Sequence, residues 1–261
     1  MYISRRRLLL GATSALALAS HAYAQEVPPT KALIIAPDSS GSINNGRYLL
    51  ELFGTVNAFR SKNVVQAILD QRNGIDVLAF EWSFFQWLRV PWMRLRTKDD
   101  IERFCQKFLS YRRPTEQYCD KDFPPEFERL KNLPVPPTIG LPFDVAGLRR
   151  TGTFIGGAVA TAASLFLPHH ERVEKVIDIS GDGPENVSAP FLVEAREKAI
   201  ARGITINGLP IVDPAICYQG HDLLGYYEKF VMGGEGSFVE KANGMEDFER
   251  ALRHKLVREL S

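Results

Sequence analysis

The sequence predicts an α/β fold in which a doubly wound, mostly parallel sheet carries helices on both faces. Short apolar runs of strand length alternate along the chain with segments whose apolar residues recur at helical spacing. This alternation is typical of parallel strands joined by helices. With 45% hydrophobic residues the chain can bury a large core. We therefore expect one domain over residues 25–261.

The first 24 residues are set apart from this domain. Three arginines, Arg5 to Arg7, precede an apolar run over 8–19, and Ala22-Tyr23-Ala24 follows it, which is the pattern of a secretory signal peptide. Ser4 with the arginines also resembles a twin-arginine export signal, and an ordinary Sec signal is the alternative. The run is too short to span a bilayer. We expect a periplasmic or secreted bacterial protein without membrane insertion after signal removal.

The expected elements follow from apolar spacing and from capping residues. Residues 97–100 have the form of a capping box, and Pro190 and Gly203 mark the start and the end of a helix. Pro91 suits a sheet edge because it cannot donate a hydrogen bond to a neighbouring strand. We expect strands at 32–36, 75–82, 175–180, 204–211 and 237–240, with 84–95 as the hairpin partner of the second. We expect helices at 47–69, 97–109, 154–166, 190–202, 223–230 and 245–256.

Residues 110–150 interrupt this regular order and read as a long insertion. The segment holds seven of the 16 prolines, without sustained periodicity. A partner-specific surface and a disordered appendage are both consistent with it. Of the three cysteines, Cys105 and Cys119 flank the start of this segment, where a disulfide would close a short loop, and Cys217 is then the spare thiol.

Charge excludes two classes of partner. Without residues 1–24, which hold three of the 32 basic residues and no acid, the chain keeps 29 basic and 31 acidic side chains, a formal charge of −2. A nearly neutral chain without a basic block gives no electrostatic reason to expect nucleic acid or an anionic membrane as the partner.

Three polar clusters fall at the carboxyl ends of predicted strands or before a helix, where open parallel sheets bind ligands. Hydroxyl and carboxylate oxygens are the ligands that Mg²⁺ prefers. The alternate spacing of the first cluster lets one turn direct three side chains inward, and one coordination place would remain for a ligand. The five candidate ligands are Asp38, Ser40, Ser42, Thr153 and Asp182.

These clusters resemble the von Willebrand factor A domain, a Rossmann-like fold. Its metal-ion-dependent adhesion site consists of Asp-x-Ser-x-Ser, a separate Thr, and an Asp-Gly after a later strand, here in the family's order. The resemblance implies Ser40, Ser42 and Thr153 as direct ligands of Mg²⁺, Mn²⁺ or Ca²⁺, with Asp38 and Asp182 direct or water-mediated. It also implies that a carboxylate of a protein partner completes the shell.

A closer resemblance is to an exported bacterial branch of these domains that is known as a domain of unknown function. It rests on Ile177-Asp178-Ile179-Ser180-Gly181-Asp182-Gly183-Pro184, Ile204-Thr205-Ile206-Asn207-Gly208-Leu209 and Lys255-Leu256-Val257-Arg258-Glu259. That branch has no assigned reaction, and the proline-rich insertion departs from it.

An enzyme remains an alternative, because 181–186 resembles a segment of haloacid-dehalogenase-like phosphatases, with Asp38 as the nucleophile. Those enzymes use a second Asp two residues later as general acid, and here that residue is Ser40. A structural domain with a degenerate metal site is the third hypothesis. His169-His170-Glu171 suggests another metal cluster, but its place in a polar connection favours a solvated segment. We expect a binding module without catalysis.

Overall fold

One six-stranded sheet forms the centre of the computed structural model, which describes residues 27–114, 125–148, 152–213 and 222–261. Its strands are β1 (Lys31–Ala36), β2 (Ile75–Trp82), β3 (Gln86–Leu95), β4 (Thr138–Ile139), β5 (Glu174–Gly181) and β6 (Ile204–Pro210). They lie in the order β4-β3-β2-β1-β5-β6. β1 is parallel to β2 and β5, β5 is parallel to β6, and β3 is antiparallel to both its neighbours. The predicted mostly parallel sheet is confirmed. The predicted signal peptide lies outside the described residues.

Helices cover both faces of this sheet, as predicted. They are α1 (Asn45–Arg60), α2 (Lys62–Leu69), α3 (Lys98–Phe108), α4 (Ile155–Leu165), α5 (Ala189–Ala201), α6 (Leu223–Tyr226) and α7 (Phe248–Glu259). Successive side chains of β1 point to opposite faces. Leu33 and Ile35 pack in the core under α1, α2, α3 and α7, whereas Ala32 and Ile34 pack under α4, α5 and α6. No helix in the described ranges is long and apolar enough to cross a membrane.

The helix expected over 47–69 is two helices, because the chain turns at Ser61. Ser61 has extended backbone, with φ −64° and ψ 144°, and its hydroxyl donates to the carbonyl of Ala58 at 2.7 Å. Serine side chains compete with helical backbone hydrogen bonds in this way. The capping box predicted at Thr97 and Asp100 is confirmed at the start of α3.

The hairpin of β2 and β3 is confirmed, and its register shifts between Val77 and Phe80. β4 pairs only with Gln86 and Trp87, so Pro91 lies beyond that pairing. The described part of 110–150 also contains a 3₁₀ helix (Pro125–Asn132) that the sequence did not predict. Phe127 of this helix packs against Phe53 of α1, with ring centroids 5.1 Å apart.

Three expectations near the cysteines and the carboxyl end need correction. The expected Cys105–Cys119 disulfide is not formed: Cys105 is a free, buried thiol on α3, and Cys119 and Cys217 lie outside the described residues. The strand expected over 237–240 is reduced to a single bridge between Val239 and Gly208. The helix expected over 223–230 is α6 followed by a π-helical turn (Tyr227–Val231).

α7 is fixed to the sheet by a buried ion-pair network. Lys255 Nζ lies 2.6 Å from both Asp178 Oδ2 and Glu259 Oε1, and Asn207 donates to Glu259 Oε1 at 2.8 Å. These four residues belong to the motifs that carry the resemblance to the bacterial branch. Their positions give those motifs a structural role, because a buried lysine requires nearby carboxylates.

Candidate metal centre

The five predicted site residues lie at the carboxyl-end side of the sheet. Asp38 follows β1 after Pro37 and forms a single parallel bridge with Trp82 at the end of β2. Asp182 follows β5, the strand beside β1, and Thr153 precedes α4. Asp38 and Asp182 lie close together because the carboxyl ends of parallel strands share one edge of the sheet.

The loop after β1 is a tight turn built on Asp38. Its carboxylate Oδ1 accepts a hydrogen bond from the backbone N–H of Ser40 at 2.6 Å. The hydroxyls of Ser40 and Ser42 lie 3.1 Å apart. Ser39 points elsewhere, because its hydroxyl donates to the carbonyl of Trp82 at 3.1 Å. The alternate residues of the motif therefore share one side of the turn, as its spacing predicts.

Asp182 joins this turn from the neighbouring strand. Ser42 Oγ donates to Asp182 Oδ1 at 2.6 Å. The other oxygen, Oδ2, is 3.3 Å from the guanidinium of Arg47, which also donates to Asp213 at 2.8 Å. Arg47 lies in the first turn of α1, so the helix that follows the loop places a guanidinium beside Asp182.

Thr153 contacts the segment that follows Asp182. Its backbone N–H donates to Asn186 Oδ1 at 2.8 Å, and its hydroxyl accepts from Asn186 Nδ2 at 3.4 Å. A Cβ placed on Gly183 would lie 3.8 Å from the Thr153 hydroxyl. Glu185 ties the two segments together, because its carboxylate accepts from the backbone N–H of Gly156 at 2.9 Å.

The site concentrates carboxyl groups in a buried place, where their ionisation would bring negative charges together. Burial raises the pKa of Asp38 to about 8, and the charge of Asp182 adds to that effect. Burial also raises the pKa of Asp182 and, with the nearby charge of Asp38, holds the pKa of Glu51 on α1 well above its ordinary value. Asp38 Oδ2 is buried and has no hydrogen-bond partner among the described residues. An incoming cation would relieve this charge.

The donor set fits a divalent cation, because it includes a buried carboxylate oxygen without a partner. A buried, unpartnered carboxylate oxygen is costly unless a cation or donor compensates it. All candidate donors are oxygens, which suits Mg²⁺, Mn²⁺ or Ca²⁺. Ligation of a metal by these five residues stays a prediction.

Sequence reasoning missed four residues that shape this site. Arg113, which follows α3, donates to the carbonyl of Ser40 at 3.2 Å and to that of Ile43. Glu51 lay inside a predicted amphipathic helix, where an acid on the apolar face is a readable signal. Arg47 is close to the first cluster in the chain, but a single arginine there forms no readable pattern, and the remaining residues come from distant segments. The four residues are Arg47, Glu51, Arg113 and Tyr227.

A second group with metal-ligand chemistry lies at the amino end of β2, where Asp76, His169 and His170 bring three ligand atoms within 4.8 Å of one another. His170 is buried, so the expected solvated segment is wrong for that residue. Its Nδ1 accepts from the backbone N–H of Leu167 at 3.1 Å, which leaves the proton of the neutral ring on Nε2, 3.0 Å from Asp76 Oδ2. Arg94 also pairs with Asp76. We interpret this group as a structural network, because a metal on Nε2 would require the opposite tautomer.

The fold and the arrangement of these loops define a class, the von Willebrand factor A-like domains. Within that class, the chain belongs to the family described as "Protein of unknown function (DUF1194)", whose model matches residues 29–120 and 145–261. Between the two matched stretches, residues 121–144 are unmatched and fall inside the predicted insertion. No curated protein sequence matches the chain.

Solved structures share the fold at low sequence identity. Proximal thread matrix protein 1 from the mussel byssus is 18% identical with a TM-score of 0.51, and the match covers 90% of this chain and 49% of that one. A second structure of that protein, at 19% identity and a TM-score of 0.51, covers 90% and 48%, and is described as having a zinc-occupied MIDAS motif. The pilus adhesin SpaC from Lactobacillus rhamnosus GG is 10% identical with a TM-score of 0.54, over 89% and 30%. This chain spans about half the length of the mussel protein.

Proposed function

We propose that this protein is an exported, non-catalytic binding module that ligates a carboxylate of a partner protein through a bound divalent cation. Mg²⁺ is the first candidate, with Mn²⁺ and Ca²⁺ as alternatives. The observation that carries the proposal is the buried, unpartnered Oδ2 of Asp38, in a buried cluster that also holds the carboxyl groups of Asp182 and Glu51. Export rests on the sequence of residues 1–24.

The ligand chemistry follows from the count of donors. Five side chains supply oxygens, and octahedral Mg²⁺ takes six ligands, so water or an external oxygen completes the shell. An anionic oxygen from a partner gains more than water from a cation in a partly desolvated site. The MIDAS motif of the mussel protein and the description of SpaC as a pilus adhesin support this reading of the class.

A phosphatase finds little support in the geometry. Asn186, part of the segment that resembles those enzymes, bonds with both the backbone and the hydroxyl of Thr153. Ser40 occupies the position of the general acid, and a hydroxyl does not protonate a leaving group near neutral pH. The role of Asn186 is therefore to fix the loop before α4.

The first test measures metal binding. The purified chain, stripped with a chelator, is titrated with Mg²⁺, Mn²⁺ and Ca²⁺ by calorimetry, and unfolding is followed with and without metal. A cation present at a hundred times its Kd stabilises the fold by about 2.7 kcal/mol. Ser40→Ala is expected to remove this increment. Ser39→Ala is the matched control, because the Ser39 hydroxyl faces Trp82. If none of the three cations binds, the proposal is wrong.

The second test asks what the metal binds. Mn²⁺ bound to the protein enhances water proton relaxation while it keeps a coordinated water. N-acetylglutamate amide should displace that water and lower the relaxivity, whereas N-acetylglutamine amide should not. Metal binding with no response to the carboxylate would favour a purely structural ion. Hydrolysis of para-nitrophenyl phosphate that is lost in Asp38→Asn would favour the phosphatase.

A further inference from the structure

Tyr227 is a buried tyrosine whose hydroxyl has no hydrogen-bond partner among the described residues. It begins the π-helical turn after α6, where the backbone N–H of Met232 donates to the Tyr227 carbonyl at 2.9 Å. Isolated π turns are uncommon and occur frequently at functional sites. A buried hydroxyl without a partner costs about 1–3 kcal/mol, so its presence needs a reason.

The Tyr227 hydroxyl faces the candidate metal centre across Gly181, the last residue of β5. A Cβ placed on Gly181 would lie 2.7 Å from the Tyr227 hydroxyl oxygen and 3.1 Å from Asp38 Oδ2. Both of these atoms are buried, and both lack partners. A donor and an acceptor that each lack a partner therefore lie on one side of the same glycine.

We propose that Tyr227 is a positioning residue for the metal centre, whose hydroxyl donates to Asp38 Oδ2, directly or through one bridging water, and holds that carboxylate in its metal-binding orientation. The proposal rests on the metal-binding function above. Carboxylates that ligate metals are themselves held by hydrogen bonds, and loss of such a partner weakens metal affinity by about 10- to 100-fold. The hydrogen bond also gives each buried atom the partner it lacks.

The absence of a side chain at residue 181 is a condition of this arrangement. Besides the two oxygens, an added Cβ would lie 3.2 Å from the Trp82 indole. Contacts shorter than 3 Å force neighbours to move, and here the nearest neighbour is the hydroxyl itself. The Asp-Gly motif of the family begins one residue later, so Gly181 serves the approach of Tyr227 rather than the turn.

A purely structural role for Tyr227 predicts a different result. Its ring packs in the core, where a Cβ on Gly208 would lie 2.8 Å from a ring carbon. If the ring alone matters, Tyr227→Phe keeps the packing, removes an unpartnered buried hydroxyl, and leaves metal affinity unchanged.

The test compares two single-oxygen deletions on neighbouring residues. In Tyr227→Phe we expect the Kd for Mg²⁺, measured by calorimetry on the chelator-stripped chain, to rise about 10-fold or more. The melting temperature of the metal-free protein should stay level or fall, because the variant removes a buried hydrogen bond from Asp38. The matched control is Tyr226→Phe, because Tyr226 is half-buried and its hydroxyl faces the backbone of Glu185. Its Kd should stay within about twofold of wild type.

The outcomes separate this proposal from the one on which it rests. A wild-type chain that binds no cation overturns the proposed function and this inference together. A wild-type chain that binds Mg²⁺, with Tyr227→Phe binding equally well, overturns the positioning role alone. A lower melting temperature of metal-free Tyr227→Phe, with unchanged Kd, assigns the hydroxyl to folding and also contradicts the proposal.

Discussion

Buried carboxyl groups lie at both ends of the parallel sheet, and their pKa values are shifted in opposite directions. At the amino end, burial alone would raise the pKa of Asp76, but hydrogen bonds from His170 and Arg94 outweigh it and hold that pKa well below its usual range. At the carboxyl end, burial raises the pKa of Asp38 to about 8, and Asp182 adds to the effect. Burial favours a higher pKa at both ends, and only at the amino end does the chain supply partners that reverse the shift.

This contrast indicates where an external cation gains most. Asp76 already has a guanidinium and an imidazole beside it, so a metal would compete with partners that are in place. Asp38 Oδ2 has no hydrogen-bond partner among the described residues, and the Tyr227 hydroxyl near it is neutral, so a metal would meet no competing cation there. At the carboxyl end, Arg47 supplies a cation to Asp182 alone among the candidate ligands. The amino end therefore has compensating partners for its carboxylate, whereas the carboxyl end has a buried carboxylate oxygen without one among the described residues.

The largest expected effect is at the amino end. Asp76→Ala leaves Arg94 and His170 without their acceptor, and we expect a loss of about 3–5 kcal/mol in the free energy of unfolding, measured in urea. The loss should be the same with and without Mg²⁺. Asp70→Ala, at an exposed carboxylate, is the control and should change stability by no more than about 0.5 kcal/mol. A loss below about 1 kcal/mol for Asp76→Ala would contradict the contrast.

In the metal-free protein, Asp38 and Asp76 should contribute to the pH dependence of stability with opposite signs. The folded pKa of Asp38, about 8, lies above its unfolded value of 3.8, so the folded state keeps a proton that the unfolded state has lost. Stability should therefore fall as pH rises from about 4 to about 8, by at most about 1.4 kcal/mol per pH unit for this group. Asp76, with a lowered folded pKa, contributes stability above 3.8 that is lost at lower pH.

Urea unfolding at several pH values measures this profile. Asp38→Asn should flatten the decline between pH 5 and 8, because an amide does not titrate. Saturating Mg²⁺ should oppose the decline in the wild type, since the cation binds the ionised carboxylate. An unchanged decline in Asp38→Asn would assign it to other groups.

Removal of the cation at the carboxyl end should have a smaller effect. In Arg47→Gln the guanidinium no longer competes for Asp182 Oδ2, so we expect Mg²⁺ affinity to rise about fivefold, equivalent to about 1 kcal/mol. The metal-free protein should lose about 1 kcal/mol of stability. Arg60→Gln, which removes an exposed pair with Glu102 far along α1, is the control. Weaker Mg²⁺ binding in Arg47→Gln would mean that Arg47 supports the metal rather than replaces it.

The smallest effect is expected at His169. Its side chain is about two-fifths exposed and lies 3.3 Å from Asp76, whereas His170 is fully buried. We expect His169→Ala to change the free energy of unfolding by less than about 0.5 kcal/mol at pH 7, and His170→Ala to cost about 2 kcal/mol or more. Zn²⁺ should not stabilise a chain that carries Ser40→Ala. Stabilisation of that variant by Zn²⁺, lost again on adding His169→Ala, would make the amino-end group a metal site.

Much of the fold could be predicted from the sequence, because apolar runs and capping residues are local features. Apolar runs placed β1, β2, β5 and β6 within a residue or two of their observed bounds, and the capping box at Thr97 placed the start of α3. The same signals placed Asp38 and Asp182 at strand ends. The predicted elements were wrong where a local interaction overrides the apolar periodicity. At Ser61 a side-chain hydrogen bond ends a helix, and at Val239 a single bridge replaces a strand.

By itself the sequence determined the order of strands and helices and the candidate ligands, because periodicity and strand ends are properties of neighbouring residues. Only the tertiary structure decided which charges meet. It placed His170 beside Asp76, Arg113 against the loop of Ser40, and Tyr227 across Gly181 from Asp38. These pairs join residues far apart in the chain, and their contacts depend on strand order and helix packing. That is why the places of the candidate ligands at strand ends could be predicted, whereas the electrostatics around them and the supporting residues required the fold.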